Sequence, residues 1–533
     1  MRFKQSQSLW LCVAWLAIAG TVILVSIPTL LVAPSVYPDE VGILDYGRGI
    51  FEPKSDWSVM WNIASDRPTK ALYVLGVSIP EIAYQLTGSS MAGVRLSGIL
   101  GGILAATFFL LWMRAAGVKP WIALAGATAF LLDPLFVGAC RSGRVDMWAM
   151  ASILLACWMI RESGRSANGA VHDSMRFAGA GVLLAWSPFF WVSAVFLFPL
   201  VVAEMFSVPL SSRASGCHKL YRALVPRAFF AGGWMAGLSL MLFLIWPIFN
   251  EAWGDTLALS KAAGSTEILG NVFAFLESFR LNPFLLVAVL PAVAVVWRRN
   301  KLLIVVVFLT TLLLIPSGVY HWRAAYALPV YYAIVVTACS FLLASASPVW
   351  CKYMGRSILA LLLVLNIGIS IGLRHWIGMA RSHANNPALL IRMAEEGVGR
   401  GPHKVYDANM QFYYAGRQLG WKMYRPLGAN GRGDWSDEKF SKFLGKVDVV
   451  ILPISGERRN VEQFSDDEER VVKSSGFELK GTYSAHWYPE GSSAIPPFFN
   501  RVLLGGGRDY GCYNVYVRGS QFKESGSFKE KSQ

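Results

Sequence analysis

Apolar runs of about twenty residues recur from residue 8 to residue 374, and about twenty is the length an α-helix needs to cross the hydrocarbon of a bilayer. Backbone in lipid must satisfy its own hydrogen bonds, so repeated runs of this kind restrict the chain to a bundle of membrane-crossing helices. The charge content agrees. Of 533 residues, 54% are hydrophobic and 16% charged, against about a quarter charged in soluble domains. Spans are expected near residues 8–32, 93–113, 120–138, 146–161, 177–187, 189–207, 228–249, 281–298, 302–317, 324–346 and 357–374, about eleven in all. The first is read as a retained helix, because it is long, lacks a small-residue cleavage site and is followed by many more. The pair 177–187 and 189–207 is read as two short helices broken at Trp186-Ser187-Pro188. From about residue 376 to 533 the chain turns rich in charge, Gly, Asn and Ser and holds no spanning run.

The net charge of +15 does not point to nucleic acid. Basic residues fall in every second connection: Arg2 and Lys4, Arg114 and Lys119, Arg161 to Arg176, Arg213 to Arg227, Arg298 to Lys301, and Lys352 with Arg356. The positive-inside rule makes these connections and the N-terminus cytoplasmic. Four connections then face outward: residues 33–92, Arg141 to Asp146, about 250–280, and Ser317 to Arg323. The C-terminal domain faces outward with them. Within the first outer loop, Leu72–Leu86 and Gly42–Phe51 are expected as interfacial helices, with Glu81 on a solvated face.

Standard soluble chemistries are missing from the sequence. It contains no Walker loop, dinucleotide fingerprint or HExxH, and its seven cysteines form no CxxC. No internal repeat of the kind common in secondary transporters is apparent. Acidic residues at a membrane edge are costly, and nothing in the apolar pattern demands them. Asp39-Glu40, directly after the first span, is therefore the leading candidate for chemistry. Arg141-Ser142-Gly143-Arg144-Val145-Asp146 and His321-Trp322-Arg323 bring further charge to the outer connections.

These residues resemble those of integral-membrane glycosyltransferases of the GT-C fold, within that group the lipid A aminoarabinose transferases and protein O-mannosyltransferases. The resemblance rests on Asp39-Glu40 after the first span, and on Asp133-Pro134-Leu135-Phe136 followed by Arg141 to Asp146. It extends to Tyr326-Ala327-Leu328-Pro329-Val330-Tyr331, and to Val405-Tyr406-Asp407, Phe412 to Arg417 and Val447 to Leu452 in the tail. The order Arg67-Pro68-Thr69-Lys70 departs from relatives that carry a lysine and prolines ahead of an aromatic helix. The resemblance implies an inverting transfer of sugar from a polyprenyl phosphate to a lipid, glycan or protein acceptor on the outer face of the inner (plasma) membrane.

Such a transfer needs a base, cations for the departing phosphate and an apolar groove for the prenyl chain. Asp39 is the expected base. Arg141, Arg144 and Arg323 suit phosphate oxygens, and Asp146 would orient an arginine or the sugar. Glu40 either hydrogen-bonds within the loop or binds a divalent metal, and the metal requirement stays open. Each assignment has a plainer counterpart. Asp39 would cap a helix beginning near Val41; Arg141 and Arg144 would snorkel to headgroups; Arg144 and Asp146 would form a structural ion pair. His321 is a metal ligand, an acid–base group or an ordinary interfacial histidine, and Lys54, Lys70 and Lys261 bind phosphate or decorate the surface. Residues 376–533 are expected to form an α/β domain, with strands at Lys404–Tyr406 and Val447–Leu452, a helix at Met410–Gln418 and a disordered tail from about 519. A transporter or flippase of a lipid-linked or polar solute is the alternative, and it predicts ionisable residues at broken helices in mid-membrane.

Overall fold

A computed structural model describes residues 2–32, 36, 38–63, 65–163, 170–207, 217–262, 268–317, 321–380, 386–426, 436–454, 466–484 and 512–519. The tail beyond Gly519 and residues 318–320, within the connection expected to face outward last, lie outside the described residues. The chain divides into two compact units. The first comprises Met1–Pro28, Ala71–Pro80 and Val94–Trp376; the second comprises Thr29–Lys70, Glu81–Gly93 and Ile377–Gln533.

The first unit is helical. Among the described residues, five helices are long and apolar enough to cross a membrane: Leu9–Thr29, Met91–Ala115, Leu224–Leu257, Trp322–Leu342 and Val349–Trp376. Two bent pairs raise the number to seven if each is one span. Pro120–Leu131 meets Pro134–Arg141 at 56°, and Ile268–Ser278 meets Pro283–Val296 at 103°. The rest of the eleven expected spans correspond to helices that are apolar but shorter, such as Val192–Ser207 and Lys301–Leu314, or that carry charge at their ends, such as Asp146–Ser163.

One expected break moves. The helix Ala170–Phe190 runs straight through Pro188, and the interruption falls at Trp191, which is extended (φ −163°, ψ 133°). A proline at 188 frees the carbonyl of Leu184, and the Ser187 hydroxyl donates to that carbonyl at 2.8 Å. The freed acceptor is thus satisfied locally, as helix-breaking residues in lipid require. This helix crosses Cys217–Ile245 through glycines. A Cβ on Gly181 would stand 2.1 Å from the Phe230 carbonyl oxygen, and one on Gly233 2.1 Å from that of Ala178, the close approach that small residues permit between membrane helices.

The two bends share one buried polar knot. Asp133 caps the helix Pro134–Arg141, accepting from the Leu135 and Phe136 amides at 3.0 and 3.4 Å. Asn282 caps Pro283–Val296 by accepting from the Leu285 amide. A proline follows each cap, where its missing N–H costs nothing. The second oxygen of Asp133 accepts from Asn282 Nδ2 and the Tyr332 hydroxyl, both at 2.9 Å. Asn366 Nδ2 donates to the Ala129 carbonyl at 2.7 Å and to the Tyr332 hydroxyl at 2.8 Å, and Asn366 Oδ1 accepts from Asn282. All four side chains are buried.

The second unit holds a five-stranded sheet. Its strands follow a short hairpin of β1 (Trp61–Asn62) and β2 (Arg67–Pro68). They are β3 (Lys404–Asp407), β4 (Lys422–Tyr424), β5 (Val449–Pro453), β6 (Phe477–Ser484) and β7 (Cys512–Arg518). The order is β4-β3-β5-β7-β6. Strands β4, β3 and β5 are parallel, with Tyr406 opposite Tyr424 and Val450, and β7 runs antiparallel to both β5 and β6. Parallel strands covered on both faces read as continuous apolar runs, as Val449–Leu452 does. The helices Tyr413–Leu419 and Asp437–Leu444 make the crossovers, and Tyr406, Phe440, Phe443, Val450, Val472 and Tyr516 pack into the core. The expected helix at Met410 starts three residues later, because Met410 has φ 61° and belongs to the turn. The segment before β1 joins the sheet edge: the Trp61 amide donates to the Arg425 carbonyl and the Arg425 amide to the Ser58 carbonyl.

Asp407, at the end of β3, ties this turn together. It accepts from the Phe412 amide at 2.7 Å and the Asn409 amide at 3.3 Å. Burial nevertheless pushes its carboxyl up to about 7, against these bonds and the charge of Arg425. An acid raised in this way stabilises the fold fully below its unfolded value, and that stability is lost as pH rises through the folded value.

Two outcomes are expected. Asp133→Leu removes a helix cap and orphans two donors, so it lowers stability by about 2 kcal/mol or more, measured as the unfolding midpoint of the purified full chain in detergent. Hydrogen exchange of β3 and the helix Tyr413–Leu419 quickens, after correction for intrinsic exchange rate, as pH rises from about 4 to about 7, and Asp407→Asn flattens that dependence.

Candidate active site

The helix Pro38–Phe51 begins with Pro38, so Asp39 and Glu40 lie inside its first turn. Asp39 is therefore not a cap ahead of Val41. Its negative charge instead sits where the helix dipole favours it. Successive helical residues differ by about 100° in azimuth, which separates the fates of the two acids: Asp39 is exposed and Glu40 fully buried. Residues 40–48 are all buried, so this helix is a packed element of the protein rather than one lying loosely at an interface.

Its anchors come from the helix Tyr413–Leu419. The Tyr414 hydroxyl donates to Glu40 Oε1 at 2.9 Å, and the Tyr413 hydroxyl to Asp45 Oδ1 at 3.0 Å. Asp45 also accepts from Arg48 Nε at 2.9 Å, from the Ser58 hydroxyl at 2.5 Å and from the Val59 amide at 3.1 Å. Arg48 spends its remaining donors on Glu52, Ser55 and the Trp57 carbonyl, with its guanidinium 3.5 Å from the Trp57 ring centre. Burial, reinforced by the charge of Asp45, holds the Tyr413 phenol well above its ordinary range, so it remains a donor.

Glu81, expected on a solvated face, is fully buried. Arg417, one turn beyond Tyr413, takes it in a two-pronged pair, Nη1 to Oε2 at 2.8 Å and Nη2 to Oε1 at 2.9 Å. The guanidinium lies 4.2 Å from the ring centre of Tyr84. A carboxylate in that position is tolerable only because both oxygens are engaged by a charged fork. Lys70 follows β2 and is half-buried.

The other candidate residues belong to the helical unit. The turn Arg141–Asp146 reverses at Gly143, whose φ of 64° favours glycine. It is seated on the helix Met91–Ala115, where a Cβ on Gly98 would meet the Cys140 carbonyl oxygen at 2.3 Å and Trp148 Nε1 donates to the Ser97 carbonyl at 3.1 Å. Arg144 Nε donates to Asp146 Oδ2 at 2.7 Å, and both are buried. The Arg144 guanidinium lies 5.5 Å from the ring centre of Trp191 and 5.6 Å from that of Trp322. The break after Phe190 is what brings Trp191 to this place. Asp146 and Tyr326 are both buried, and Tyr326 feels the charges of Asp146, Arg144 and Arg323. Arg144, Asp146, Tyr326 and Arg323 are thus one electrostatic group.

Arg141 has other surroundings. It lines a cavity of about 20 Å³ with Ser26, Ser370 and His375, room for a single water-sized group. His321 starts the helix His321–Ala324, and its side chain lies outside the described residues, as does that of Lys261. Among the described residues no three of His, Cys, Asp or Glu converge as metal ligands.

Sequence reasoning missed Asp45, Arg48, Glu81 and the partners of Asp133. The spacing Asp45–Arg48 on one helix was a visible signal. The partners contributed by Tyr413, Tyr414 and Arg417, more than 300 residues downstream, left no local one.

No family model matches the sequence, and no curated protein matches it. Solved structures do. The crystal structure of ArnT from Cupriavidus metallidurans bound to undecaprenyl phosphate aligns with a TM-score of 0.60 over 96% of this chain and 98% of that one, at 12% identity. The apo crystal structure of the same protein gives 0.55 over 96% and 99%, at 13% identity. The single-particle cryo-EM structure of the arabinofuranosyltransferase AftD from Mycobacteria gives 0.54 at 13% identity, over 96% of this chain and 40% of AftD. The chain has the GT-C fold that its sequence resembles.

Arg417→Ala strands a fully buried carboxylate and is expected to cost about 3–5 kcal/mol. Thermal unfolding of the full-length protein checks this, with Glu81→Gln combined with Arg417→Met recovering part of the loss.

Proposed function

We propose that this protein is a multi-pass membrane glycosyltransferase that moves a sugar from a polyprenyl-phosphate donor to a cell-envelope acceptor. The observation that carries the reading is the fold likeness, end to end in both chains, to a protein whose structure holds undecaprenyl phosphate. The charge alternation of the connections supports about eleven passes in the inner (plasma) membrane, with the N-terminus cytoplasmic and residues 376–533 outside.

Asp39 is the base. It is an exposed carboxylate on a helix turn whose neighbour is pinned, which suits it to take a proton from an acceptor hydroxyl placed within about 3 Å. The acceptor oxygen then forms its bond to the anomeric carbon from the face opposite the phosphate. The bond from that carbon to the phosphate oxygen breaks, and its electron pair leaves with the polyprenyl phosphate. One displacement inverts the anomeric centre. Arg144 meets the growing negative charge of the phosphate. Asp146 accepts from its Nε and the indoles of Trp191 and Trp322 flank it, which orients a guanidinium whose planar fork suits phosphate oxygens. Arg323 adds to this field. Arg141, Lys70 and His321 are further candidates for holding substrate. Glu40 fixes the catalytic turn, and no step is assigned to a metal.

A transporter needs an ionisable group at a helix break that is free to take cargo. Asp133 sits at such a break, but both its oxygens are committed to protein donors. That engagement favours the transferase.

The test is transfer of radiolabelled sugar from undecaprenyl-phosphate arabinose and undecaprenyl-phosphate mannose in membranes. Wild type and Asp39→Asn are compared at equal protein level. Transfer is expected to fall about 100-fold or more in the variant, the scale of lost general-base help. Equal transfer in both removes Asp39 from the mechanism, and no transfer by the wild type from either donor overturns the reading.

A further inference from the structure

We propose that Tyr414 is a positioning residue for the transfer reaction: by donating to Glu40 it fixes the helix turn that carries Asp39. The inference rests on the reading of Asp39 as the base and adds a role for the C-terminal α/β unit that no likeness to other proteins supplies.

The argument starts from geometry. A short helix carrying an exposed carboxylate at its first turn frays readily at that end, where the first amides have no partner within the helix, and a small rotation of the packed helix about its axis moves the same carboxylate. Either motion displaces Asp39. Two bonds from adjacent residues of one helix oppose both. Tyr414 holds Glu40 at 2.9 Å and Tyr413 holds Asp45 at 3.0 Å. Glu40 and Asp45 are five residues apart, about 140° around the helix axis, so the pair resists rotation in a way that one bond would not. The Tyr413 bond has four companions on Asp45 or Arg48 that hold the same region. Tyr414 is the member of the pair that bonds within the first turn of the helix, beside Asp39, whereas Tyr413 bonds in its middle.

The tyrosine pair is itself braced. Arg417, on the same helix, is locked to Glu81. Gly420, with φ 83°, ends that helix, and the Trp421 amide donates to the Gly416 carbonyl at 2.8 Å, a left-handed helix stop that needs glycine. Behind it, Asp407 ties the preceding turn through the Phe412 amide. The sheet thus delivers two phenol hydroxyls to the acidic helix from a rigid base, and removal of one hydroxyl is a small, local change.

The experiment measures initial rates with the donors named above on the full-length protein in membranes, for wild type, Asp39→Asn, Tyr414→Phe, Glu40→Leu and Tyr414→Phe combined with Glu40→Leu. Tyr414→Phe keeps the ring and loses only the donor. It is expected to lower kcat about tenfold, within the range that misplacement of a reacting group produces, with the donor KM changed less than twofold. The double variant is expected to fall no further than the lower single, because Tyr414→Phe removes the donor and Glu40→Leu the acceptor of the same bond. A purely structural role would instead lower the amount of folded protein and leave kcat per folded molecule intact, so each rate is divided by the folded fraction from size-exclusion chromatography. The proposal is overturned if Tyr414→Phe retains wild-type kcat while Asp39→Asn has lost transfer, or if the two losses multiply in the double variant. Wild-type transfer by Asp39→Asn overturns the base reading and this inference with it.

Discussion

The helical unit depends on the satisfaction of backbone polar groups where helices break in a low-dielectric interior. Each bend, at Leu132-Asp133 and before Asn282, frees amides that lipid cannot serve. Asp133 and Asn282 cap the helices that follow, and each then binds the other, with Tyr332 and Asn366 closing the set. A half-satisfied group of this kind would be worse than none. Completing it fixes where Pro134–Arg141 starts, and with that the turn from Arg141 to Asp146 that presents Arg144. The electrostatic group of the site is built outward from a purely structural knot.

In the second unit a comparable problem is solved with charge. Glu40, Asp45 and Glu81 are acids taken out of water, and each is engaged by a residue of one seven-residue helix: Tyr414, Tyr413 and Arg417. Neutral phenols serve the two buried acids of the helix Pro38–Phe51, and the guanidinium fork serves the remote one. That division leaves Asp39 as the acid on its turn without burial, an exposed carboxylate beside a sequestered one. Neighbours in sequence thus acquire different roles through helical geometry alone.

The candidate residues were legible in sequence. A costly acidic pair at the end of an apolar run and an Arg-x-x-Arg-x-Asp turn are both local signals; the turn joins two helices, and the acidic pair lies inside a helix rather than ahead of it. Arg144 and Asp146 do pair, and Arg141, three residues away, lines a small cavity with Ser26, Ser370 and His375. Less was legible where the physics is not local. Pro188 reads as a helix breaker, yet the Ser187 hydroxyl repairs the damage and the break passes to Trp191. Glu81 reads as a surface residue, because nothing near it hints at Arg417.

The sequence by itself determined the membrane class, the α/β character of the tail and the residues with chemistry to offer. These follow from apolar run length, charge alternation and residue type, which are properties of short segments. Only the tertiary structure decided that Thr29–Lys70 and the end of the helix Val74–Leu86 belong to the same unit as the distant sheet, which acid of the pair is buried, and which polar residues close the helix breaks. Those outcomes turn on pairings between residues hundreds of positions apart. A buried charge or amide is stable only beside its partner, and the chain does not specify that partner until it has folded.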